Sequence, residues 1–553
     1  MSRRVTESAT PPRNPAAGRD DLLAAAHRRR RALAIVAAGL VVVIVVVILR
    51  SCGSAAPPAE GAAKLVPARV LAWIHLSTDS SRDGVRSAVD LARRFPGYPH
   101  VRHRLLARLA SGTRPVRYDR DLRPWLGKEV GLALLDTTGQ TAGSLIVAAV
   151  SDRGKADAYL RRAGQSSAIS YRGVTIRRFG TVASAITAGY LLIGQESDLR
   201  RAIDGERTHG ATLAADPTYR RALRGLPAGR VADAFLSPGG VRRLLTPQGG
   251  PLGVAGILLD QPALAGAGLA LTAQGNEARL TVHSIRDPRL ARSRPPTFAS
   301  FQATLAGAVP KSAMAYVGLT GLDRAASRIL AISAATGSAG ARLQRRLQTR
   351  ATTVARQAGV NLARDVLPLF RREVALWLAP SLPSPYLTLI ARTPNEARTR
   401  AALAKLQAPL VQLFEPQTAQ PGQAPTFAER DLGGGVRAFS LDLAPGVQID
   451  YAVFNGKLVI STNLEGVKAV KRGGSSLTGR SAYEATLGDH PNRVTSLVFL
   501  DFSSLLALGE RTGLNANRSY LAARNDLRRI RALGASSSGG TAESTTELVL
   551  QIS

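Results

Sequence analysis

The chain of 553 residues contains a single cysteine, few aromatic residues, and only 39 acidic residues against 73 basic ones. One cysteine, Cys52, excludes an intramolecular disulfide, a cysteine-ligated zinc or iron–sulfur site, and a thiol nucleophile within the folded part. Aromatic residues make up 5 % of the chain and do not alternate with basic residues, as a base-stacking surface requires. Hydrophobic residues at 45 % and charged residues at 20 % exclude a mostly disordered chain and a polytopic membrane protein.

The excess of basic residues gives a formal net charge of +34, with 65 arginines to eight lysines. This skew, in a chain rich in alanine, glycine and leucine, is typical of a GC-rich genome. Because the arginines are spread along the chain and not clustered, we expect no nucleic acid partner. They fit anionic material of a cell envelope better, either phospholipid headgroups or acidic wall polymers. A surface of merely solvated arginines is the simpler alternative.

One long apolar segment, residues 32–49 with the sequence ALAIVAAGLVVVIVVVIL, contains no charge and no proline. As a helix it would cover about 27 Å, enough to cross the hydrocarbon core of a bilayer. Because arginines 28–31 precede it, the positive-inside rule places residues 1–31 in the cytoplasm as a basic disordered tail, and everything after Arg50 outside. The sequence therefore predicts a single-pass plasma-membrane protein whose bulk is extracytoplasmic.

Two other interpretations of this segment are weaker. A cleaved signal peptide has a much shorter basic region and is followed by an A-x-A site, which does not occur here. The stretch from Leu49 to Cys52 loosely resembles a lipoprotein cleavage box, in which Cys52 would be acylated, but Arg50 fits such a box poorly. Residues 50–65 are rich in small residues and proline, which predicts a linker.

The rest of the chain repeats one sequence pattern, which predicts an internal duplication. The segment VPARVLAWIHL at residues 66–76 matches VPKSAMAYVGL at residues 309–319. Both copies end with two apolar segments that flank a polar turn. The predicted modules are residues 66–285 and 309–553, joined by a linker at 286–308. Further matched segments begin at Asp121 and Asp365, at Ser144 and Tyr386, at Gly189 and Gly456, and at Thr212 and Ser476.

Each module mixes strand and helix patterns. Residues 70–77 are typical of a strand buried on both faces, and apolar residues at helical spacing follow over residues 79–95. Residues 129–135 and 144–150 are predicted to form paired strands. Strands outnumber helices, and many connections are too short for a parallel crossover. The predicted fold class is α+β, with two duplicated modules of mostly antiparallel sheet behind one N-terminal transmembrane helix.

Two segments carry a family resemblance. VPARVLAWIHLSTDSSRDGVRSAVDLARRFPGYP follows the apolar segment and its small-residue linker, and GYLLIGQES lies further along the first module. With the paired-module layout, they resemble the bacterial membrane-anchored proteins grouped as domain of unknown function 3352. The resemblance covers residues 66–553. It implies a single-pass envelope protein of actinobacterial type, with no assigned activity and no catalytic residue to carry over.

The seven histidines offer no metal-binding or catalytic pattern. His100 and His103, in PHVRH, could share one helical face, but their neighbours are arginines and not carboxylates, so we predict a solvated structural role. His75 lies in a predicted strand, and its counterpart in the second copy is Gly318. We therefore expect a packed, hydrogen-bonded histidine whose role is confined to the first half.

Six polar residues suit helix N-termini better than a catalytic site, because a carboxylate or hydroxyl there accepts backbone N–H groups. No nucleophile elbow, Walker-type loop, dinucleotide-binding glycine motif or H-E-x-x-H sequence occurs. We therefore predict no catalytic, cofactor-binding or metal-binding residue, and no cofactor. The six predicted capping residues are Asp79, Asp83, Asp121, Asp365, Ser237 and Asp501.

The leading hypothesis is a non-enzymatic, membrane-tethered envelope protein that acts as a binding or scaffold component. Two similar modules can clamp one ligand or bind two copies with avidity. The expected partners are the membrane itself and anionic lipid, wall polymer or other envelope proteins. Two alternatives stay open: a hydrolase or transferase acting on envelope lipids or glycans, and a carrier of a lipid or other hydrophobic molecule.

Overall fold

The computed structural model describes most of the chain after residue 56. The apolar segment 32–49, Cys52, His103 and Asp365 lie outside the described residues. Among the helices of the described part, none is both long and apolar enough to cross a membrane. The described ranges are 57–100, 118–135, 143–162, 166–208, 212–248, 256, 259–261, 263–293, 299–322, 366–381, 384–414, 426–444 and 447–553.

The described residues form one large sheet of twenty strands. In order along the chain the strands are β1 (Val70–Ser77), β2 (Leu126–Leu135), β3 (Gly143–Val150), β4 (Ser167–Tyr171), β5 (Val174–Phe179), β6 (Val182–Thr187), β7 (Tyr190–Gly194), β8 (Ala232–Leu236), β9 (Leu264–Gln274), β10 (Glu277–Arg286), β11 (Ala315–Thr320), β12 (Glu373–Ala379), β13 (Tyr386–Arg392), β14 (Ala428–Asp431), β15 (Arg437–Ala444), β16 (Val447–Phe454), β17 (Lys457–Ser461), β18 (Ser496–Asp501), β19 (Ile530–Gly539) and β20 (Glu543–Ile552).

The first ten and the last ten strands lie in the same spatial order. In the first half the order is β4-β5-β6-β7-β3-β2-β1-β8-β9-β10. In the second half it is β14-β15-β16-β17-β13-β12-β11-β18-β19-β20. Every one of these pairings is antiparallel, so the predicted α+β fold with a mostly antiparallel sheet is confirmed.

The two halves share one sheet because β10 pairs with β20. Thr281 is the fifth residue of β10 and Glu547 the fifth of β20, and the two lie opposite each other. The junction therefore has a local pseudo-twofold axis through this pair. An ion pair between Arg279 Nη1 and Glu547 Oε2, at 3.1 Å, crosses the junction. The buried Arg286 adds a hydrogen bond from Nη1 to the carbonyl oxygen of Thr541, at 2.9 Å.

Helices follow the strands at similar places in both halves. Two short 3-10 turns, Ala62–Leu65 and Leu305–Ala308, precede β1 and β11. The helices are α1 (Asp83–Arg93), α2 (Arg153–Arg162), α3 (Glu196–Thr208), α4 (Pro217–Arg224), α5 (Pro288–Ser293), α6 (Glu396–Phe414), α7 (Leu464–Arg472), α8 (Ser481–Leu487), α9 (Phe502–Arg511) and α10 (Arg518–Leu527).

In the first half the sheet is covered on both faces. Val85 and Val89 of α1 pack on the face that carries Leu76, whereas Ile203 of α3 packs on the face that carries Trp73. Successive side chains of a strand point to opposite faces, so β1 is buried on both, as its sequence predicts. The face around Trp73 also receives the turn Ala62–Leu65. The buried residues His75 and Glu129 lie there, beside Trp73 and the turn.

Candidate functional site

The candidate site is a cluster of buried charged side chains on β1, β2 and β8. His75 in β1 lies directly opposite Asp233 in β8, and on its other side β2 brings Glu129 close. The imidazole Nδ1 is 2.9 Å from Asp233 Oδ2, and Nε2 is 3.2 Å from Glu129 Oε2. All three residues are at most 3 % exposed. Both ring nitrogens of His75 therefore face carboxylates in the protein interior.

This arrangement keeps the imidazole protonated. Burial alone would disfavour the charged form, but Asp233 and then Glu129 outweigh it and raise the pKa of His75 to about 10. The indole ring of Trp73 stacks beside the imidazole, with 6.3 Å between the ring centroids. At neutral pH the cluster thus contains a buried imidazolium between two carboxylates.

A second cation completes the cluster on the β8 side. Arg230, 5 % exposed, donates from Nε to Asp233 Oδ2 at 3.2 Å. Its guanidinium also pairs with the carboxylate of Glu60. Arg82 is buried as well, and burial together with the charge of Arg230 lowers its pKa. Because His75, Glu129, Asp233 and Arg230 each have an opposite charge beside them, these four avoid the cost of an isolated buried ion.

The cluster also holds residues 60–65, near the start of the described chain, which we term the docking segment. Glu129 Oε1 accepts the backbone N–H of Gly61 at 3.0 Å, and Oε2 accepts that of Ala62 at 3.2 Å. The hydroxyl of Tyr190 donates to the same carboxylate at 2.6 Å. Burial opposes ionisation of Glu129, but the adjacent imidazole of His75 and the hydrogen bond from Tyr190 hold its pKa below its usual value. One buried carboxylate therefore links His75 to the docking segment.

The fit of Gly61 against this carboxylate gives a testable prediction. A Cβ on Gly61 would lie inside the contact distance of Tyr190 Oη. Gly61→Ala is expected to destabilise the protein by about 1–3 kcal/mol, since the docking segment and Tyr190 cannot both keep their positions. Tyr190→Phe removes the hydroxyl, so in the double variant G61A/Y190F the two losses should be less than additive. Additive losses in urea unfolding of the four proteins would contradict this contact.

The second half repeats part of the cluster. Glu373, the counterpart of Glu129, accepts the backbone N–H groups of Thr304 and Leu305 at 2.6 and 2.7 Å. These residues begin the turn Leu305–Ala308, which matches the turn of the docking segment. Its cationic partner is Arg392, 3.2 Å away and 47 % exposed in its side chain. A glutamate that caps an N-terminal 3-10 turn is therefore common to both halves.

The histidine and its aspartate are confined to the first half. Gly318 stands in place of His75, and Leu497, which pairs with Gly318, stands in place of Asp233. The side chain of Tyr316, the counterpart of Trp73, bends over Gly318, where a Cβ would collide with its hydroxyl. In the second half, the phenol ring of Tyr316 thus occupies the space that the His75 imidazolium occupies in the first half.

The chemistry of the cluster is that of an ionic lock and not of a reaction centre. The two carboxylates approach opposite sides of the imidazole, so they do not converge on a point that a cation could occupy. Among the described residues no group of histidine, cysteine, aspartate and glutamate side chains is arranged to hold a metal ion. A substrate would have no access to side chains that are buried to this degree.

Comparisons with known proteins establish the family. The model of DUF3352, described as a protein of unknown function, matches residues 31–552. The chain belongs to the DUF3352 family. The resemblance that the sequence carries is therefore confirmed, while the actinobacterial origin and the membrane anchor that it implied stay predictions.

Other comparisons add little to the DUF3352 assignment. No curated protein matches the chain at a significant level. Among solved structures, crystal form I of TP0453 covers 42 % of this chain and 80 % of its own, with 12 % identity and a TM-score of 0.26. Crystal form III covers 42 % of this chain and 85 % of its own, with 11 % identity and a TM-score of 0.26. At this TM-score the likeness carries no conclusion about the DUF3352 chain.

The histidine predictions for this DUF3352 protein have different outcomes. His75 is packed and hydrogen-bonded, as predicted, and its role is confined to the first half. Of the pair His100 and His103, only His100 is described, and it is exposed. The predicted shared helical face therefore stays a prediction.

Three of the predicted capping residues lie at helix N-termini. Ser237 Oγ accepts the N–H of Gly240 at 3.1 Å, and Asp501 Oδ1 accepts that of Ser504 at 3.0 Å, so these two predictions are confirmed. Asp83 is the first residue of α1, where a carboxylate faces the positive end of the helix dipole. For Asp83 only this position is confirmed, because its carboxylate pairs with Arg86.

Two capping predictions are wrong. Asp79 Oδ1 accepts hydrogen bonds from the N–H and hydroxyl of Ser81, so it closes a turn ahead of the helix, and the helix begins four residues later than predicted. Asp121 lies inside the helical turn Tyr118–Leu122 and pairs with Arg120 at 2.9 Å. Asp121 is the fourth of the five residues of this turn and so does not stand at its start.

Sequence reasoning missed Glu129, Asp233 and Arg230. The signal for the glutamate is present, because K-E-V at residues 128–130 and R-E-V at residues 372–374 occupy the same place in the two copies. Charged residues inside apolar strands are rarely buried without a partner, so a glutamate that recurs there indicates a shared polar contact. Nothing local marks Asp233 or Arg230, since only the pairing of β8 with β1 brings them to His75.

Proposed function

We propose that this DUF3352 protein is a single-pass membrane-anchored protein of the cell envelope. It presents a rigid α+β body close to the outer face of the plasma membrane and acts there as a binding or scaffold component. The observation that carries this proposal is the docking segment, which the buried cluster of Glu129, His75 and Arg230 fixes to the body.

Docking sets the distance between body and membrane. The predicted membrane helix ends at residue 49, and the docking segment begins at Glu60. Residues 50–59 are the only tether between them, and fully extended they span at most about 35 Å. If residues 60–65 were not held by the cluster, they would lengthen the tether, and the body could move further from the membrane. The lock thus supports a scaffold that holds its surface within a fixed reach of the bilayer.

The envelope location is supported by charge and by the sequence of the anchor. A body with this excess of arginine is attracted to anionic headgroups, and attraction falls off within a Debye length. A short tether keeps basic side chains in that range. The alternatives of an envelope hydrolase or transferase, and of a carrier of hydrophobic molecules, would both use the same anchor and tether.

Labelling of Cys52 tests the orientation. Because Cys52 is the only thiol, a membrane-impermeant maleimide should label the full chain on intact cells. Labelling only after lysis would contradict the proposed topology. Absence of labelling in both states would indicate acylation of Cys52, which mass spectrometry of the intact chain would show as added mass.

Energy transfer tests the fixed reach. A donor dye on K64C, in a C52S chain reconstituted in nanodiscs, should transfer efficiently to acceptor lipids, since Lys64 is exposed within the docking segment. Insertion of a long Gly/Ser linker after Ala59 should lower the transfer. Equal transfer from the two proteins would contradict a tether of limiting length.

A further inference from the structure

A second feature of the body, independent of the docking segment, is an open cleft in the second half. It has a volume of about 490 Å³ and lies between the residues that lead into β11, the end of β12 and the helix α9. Three cationic side chains line it, those of Lys311, Arg480 and Arg511, and no acidic side chain does. The cleft therefore has a positive lining inside a body that is already basic.

The three cations of the cleft differ in whether they already have partners within the protein. The guanidinium of Arg480 pairs with Asp501 and donates to the carbonyl oxygen of Ala313 at 2.7 Å. Burial opposes ionisation of Asp501, but hydrogen bonds from Ser504 and the charge of Arg480 hold its pKa below the usual value. Arg480 thus builds the floor of the cleft.

The other two cations are available. Within the described part of the chain, the side chains of Lys311 and Arg511 make no ion pair and no hydrogen bond, and both residues are exposed. By contrast, Arg524 of α10 and Arg528 just after it are both paired with Glu510. Two unpaired cations on one cleft favour an anionic ligand, because a carboxylate or phosphate can accept from both.

The rest of the wall is apolar. Met314, 3 % exposed, lies at the base of the cleft, and Pro380 and Ala507 contribute to its sides. A free inorganic anion would leave these surfaces uncovered. An anion joined to a short apolar chain would cover them and keep its charge at the cations.

In the described part of the first half, the corresponding place is packed more tightly, for a structural reason. Gly240 is the counterpart of Ser504, and a Cβ on Gly240 would collide with the backbone carbonyl of Leu71. The turn Pro238–Gly240 therefore lies directly on the start of β1. With a serine at that place, α9 stays further from Met314, the counterpart of Leu71. The opening is thus a feature that distinguishes the second half from the first.

We propose that this cleft binds the anionic end of an amphiphile, a phosphate or carboxylate carried on an apolar chain, of which an acidic phospholipid headgroup is the envelope example. Lys311 and Arg511 bind the anion, and Met314, Pro380 and Ala507 contact the first carbons of the chain. The proposal does not rest on the orientation in the membrane, because the cleft belongs to the folded body.

Isothermal titration with hexyl phosphate, which stays monomeric, tests the proposal on the full chain in maltoside micelles. The wild type should bind it, and the double variant Lys311→Gln with Arg511→Gln should bind at least about tenfold more weakly. The matched control, Arg372→Gln with Lys405→Gln, removes the same charge from exposed residues of the same half outside the cleft and should bind like the wild type. Ala507→Trp fills the apolar wall without changing charge and should also weaken binding.

Three results would overturn the proposal. Equal loss in the two double variants would mean that overall charge, and not the cleft, attracts the anion. Equal affinity for inorganic phosphate would indicate a site for a free anion without an apolar part. No heat of binding from the wild type, at concentrations where the protein is shown to be folded by circular dichroism, would mean that the cleft takes no such ligand.

Discussion

Glu129→Gln is expected to lower the free energy of unfolding by about 3 kcal/mol or more, because it leaves the buried imidazolium with one carboxylate instead of two. Glutamine has nearly the same shape and can still accept one of the two N–H groups of the docking segment. The loss therefore comes mainly from the missing charge beside His75 and only secondarily from the lost hydrogen bond. Urea unfolding of the full chain in detergent measures it.

The matched control is Glu373→Gln in the second half. Glu373 caps the equivalent turn, but its cationic partner Arg392 is 47 % exposed in its side chain and can be solvated when the carboxylate is lost. The expected loss is about 1 kcal/mol. Equal losses in the two variants would mean that the ionic lock adds nothing to the cap that both halves share.

The stability of the protein is expected to fall as the pH rises from about 6.5 to about 10. His75 has a raised pKa in the folded state, about 10, and an ordinary pKa near 6.5 in the unfolded chain. Its stabilising contribution is therefore complete below about pH 6.5 and is lost as the pH rises through the folded pKa. Within this window the slope contributed by His75 is at most about 1.4 kcal/mol for each pH unit.

The variant His75→Gln isolates this contribution. It removes the titrating group, so the difference between the wild-type and H75Q stability curves should shrink steadily between pH 6.5 and pH 10. The test is how the difference in unfolding free energy changes with pH, and not its size at any one pH. H75Q also leaves Asp233 and Glu129 without their shared cation, which lowers stability by itself. Parallel curves across this window would show that His75 does not become charged in the folded protein.

The strands and the class of fold could be predicted from local patterns. The predicted strand at residues 70–77 coincides with β1, because an apolar run with β-branched and aromatic residues needs no distant information. The helix predicted over residues 79–95 is shorter, since Asp79 forms a turn that competes with the first helical turn. The single continuous sheet could not be foreseen, because the pairing of β10 with β20 joins segments from opposite ends of the body.

The alignment of the two copies is out of register at one strand. The sequence pattern matches Ser144 with Tyr386, but Leu132 pairs with Ile146, whereas its counterpart Leu376 pairs with Leu389. This shifts the match by one residue, so that Gly143 corresponds to Tyr386. Both β3 and β13 are apolar on both faces, and a one-residue slip therefore leaves the hydrophobic pattern almost unchanged.

The candidate site was harder to predict from the sequence than the strands, because it depends on tertiary structure. His75 and Asp233 are 158 positions apart, and no sequence spacing relates them. The loss of both in the second half, to Gly318 and Leu497, is visible only once the sheet shows that these positions pair. The sequence could mark His75 as particular to the first half, and the structure supplies the reason.

Hydrogen–deuterium exchange at Gly61 and Ala62 tests the ionic lock most directly. The two amides donate to a buried carboxylate, so peptides covering residues 58–66 should exchange as slowly as peptides covering β1. In Glu129→Gln these amides should exchange much faster while those of β1 change little, and in Glu373→Gln they should be unaffected. Rapid exchange of residues 58–66 in the wild type, at the rate of an open linker, would contradict the account that the cluster fixes the docking segment to the body.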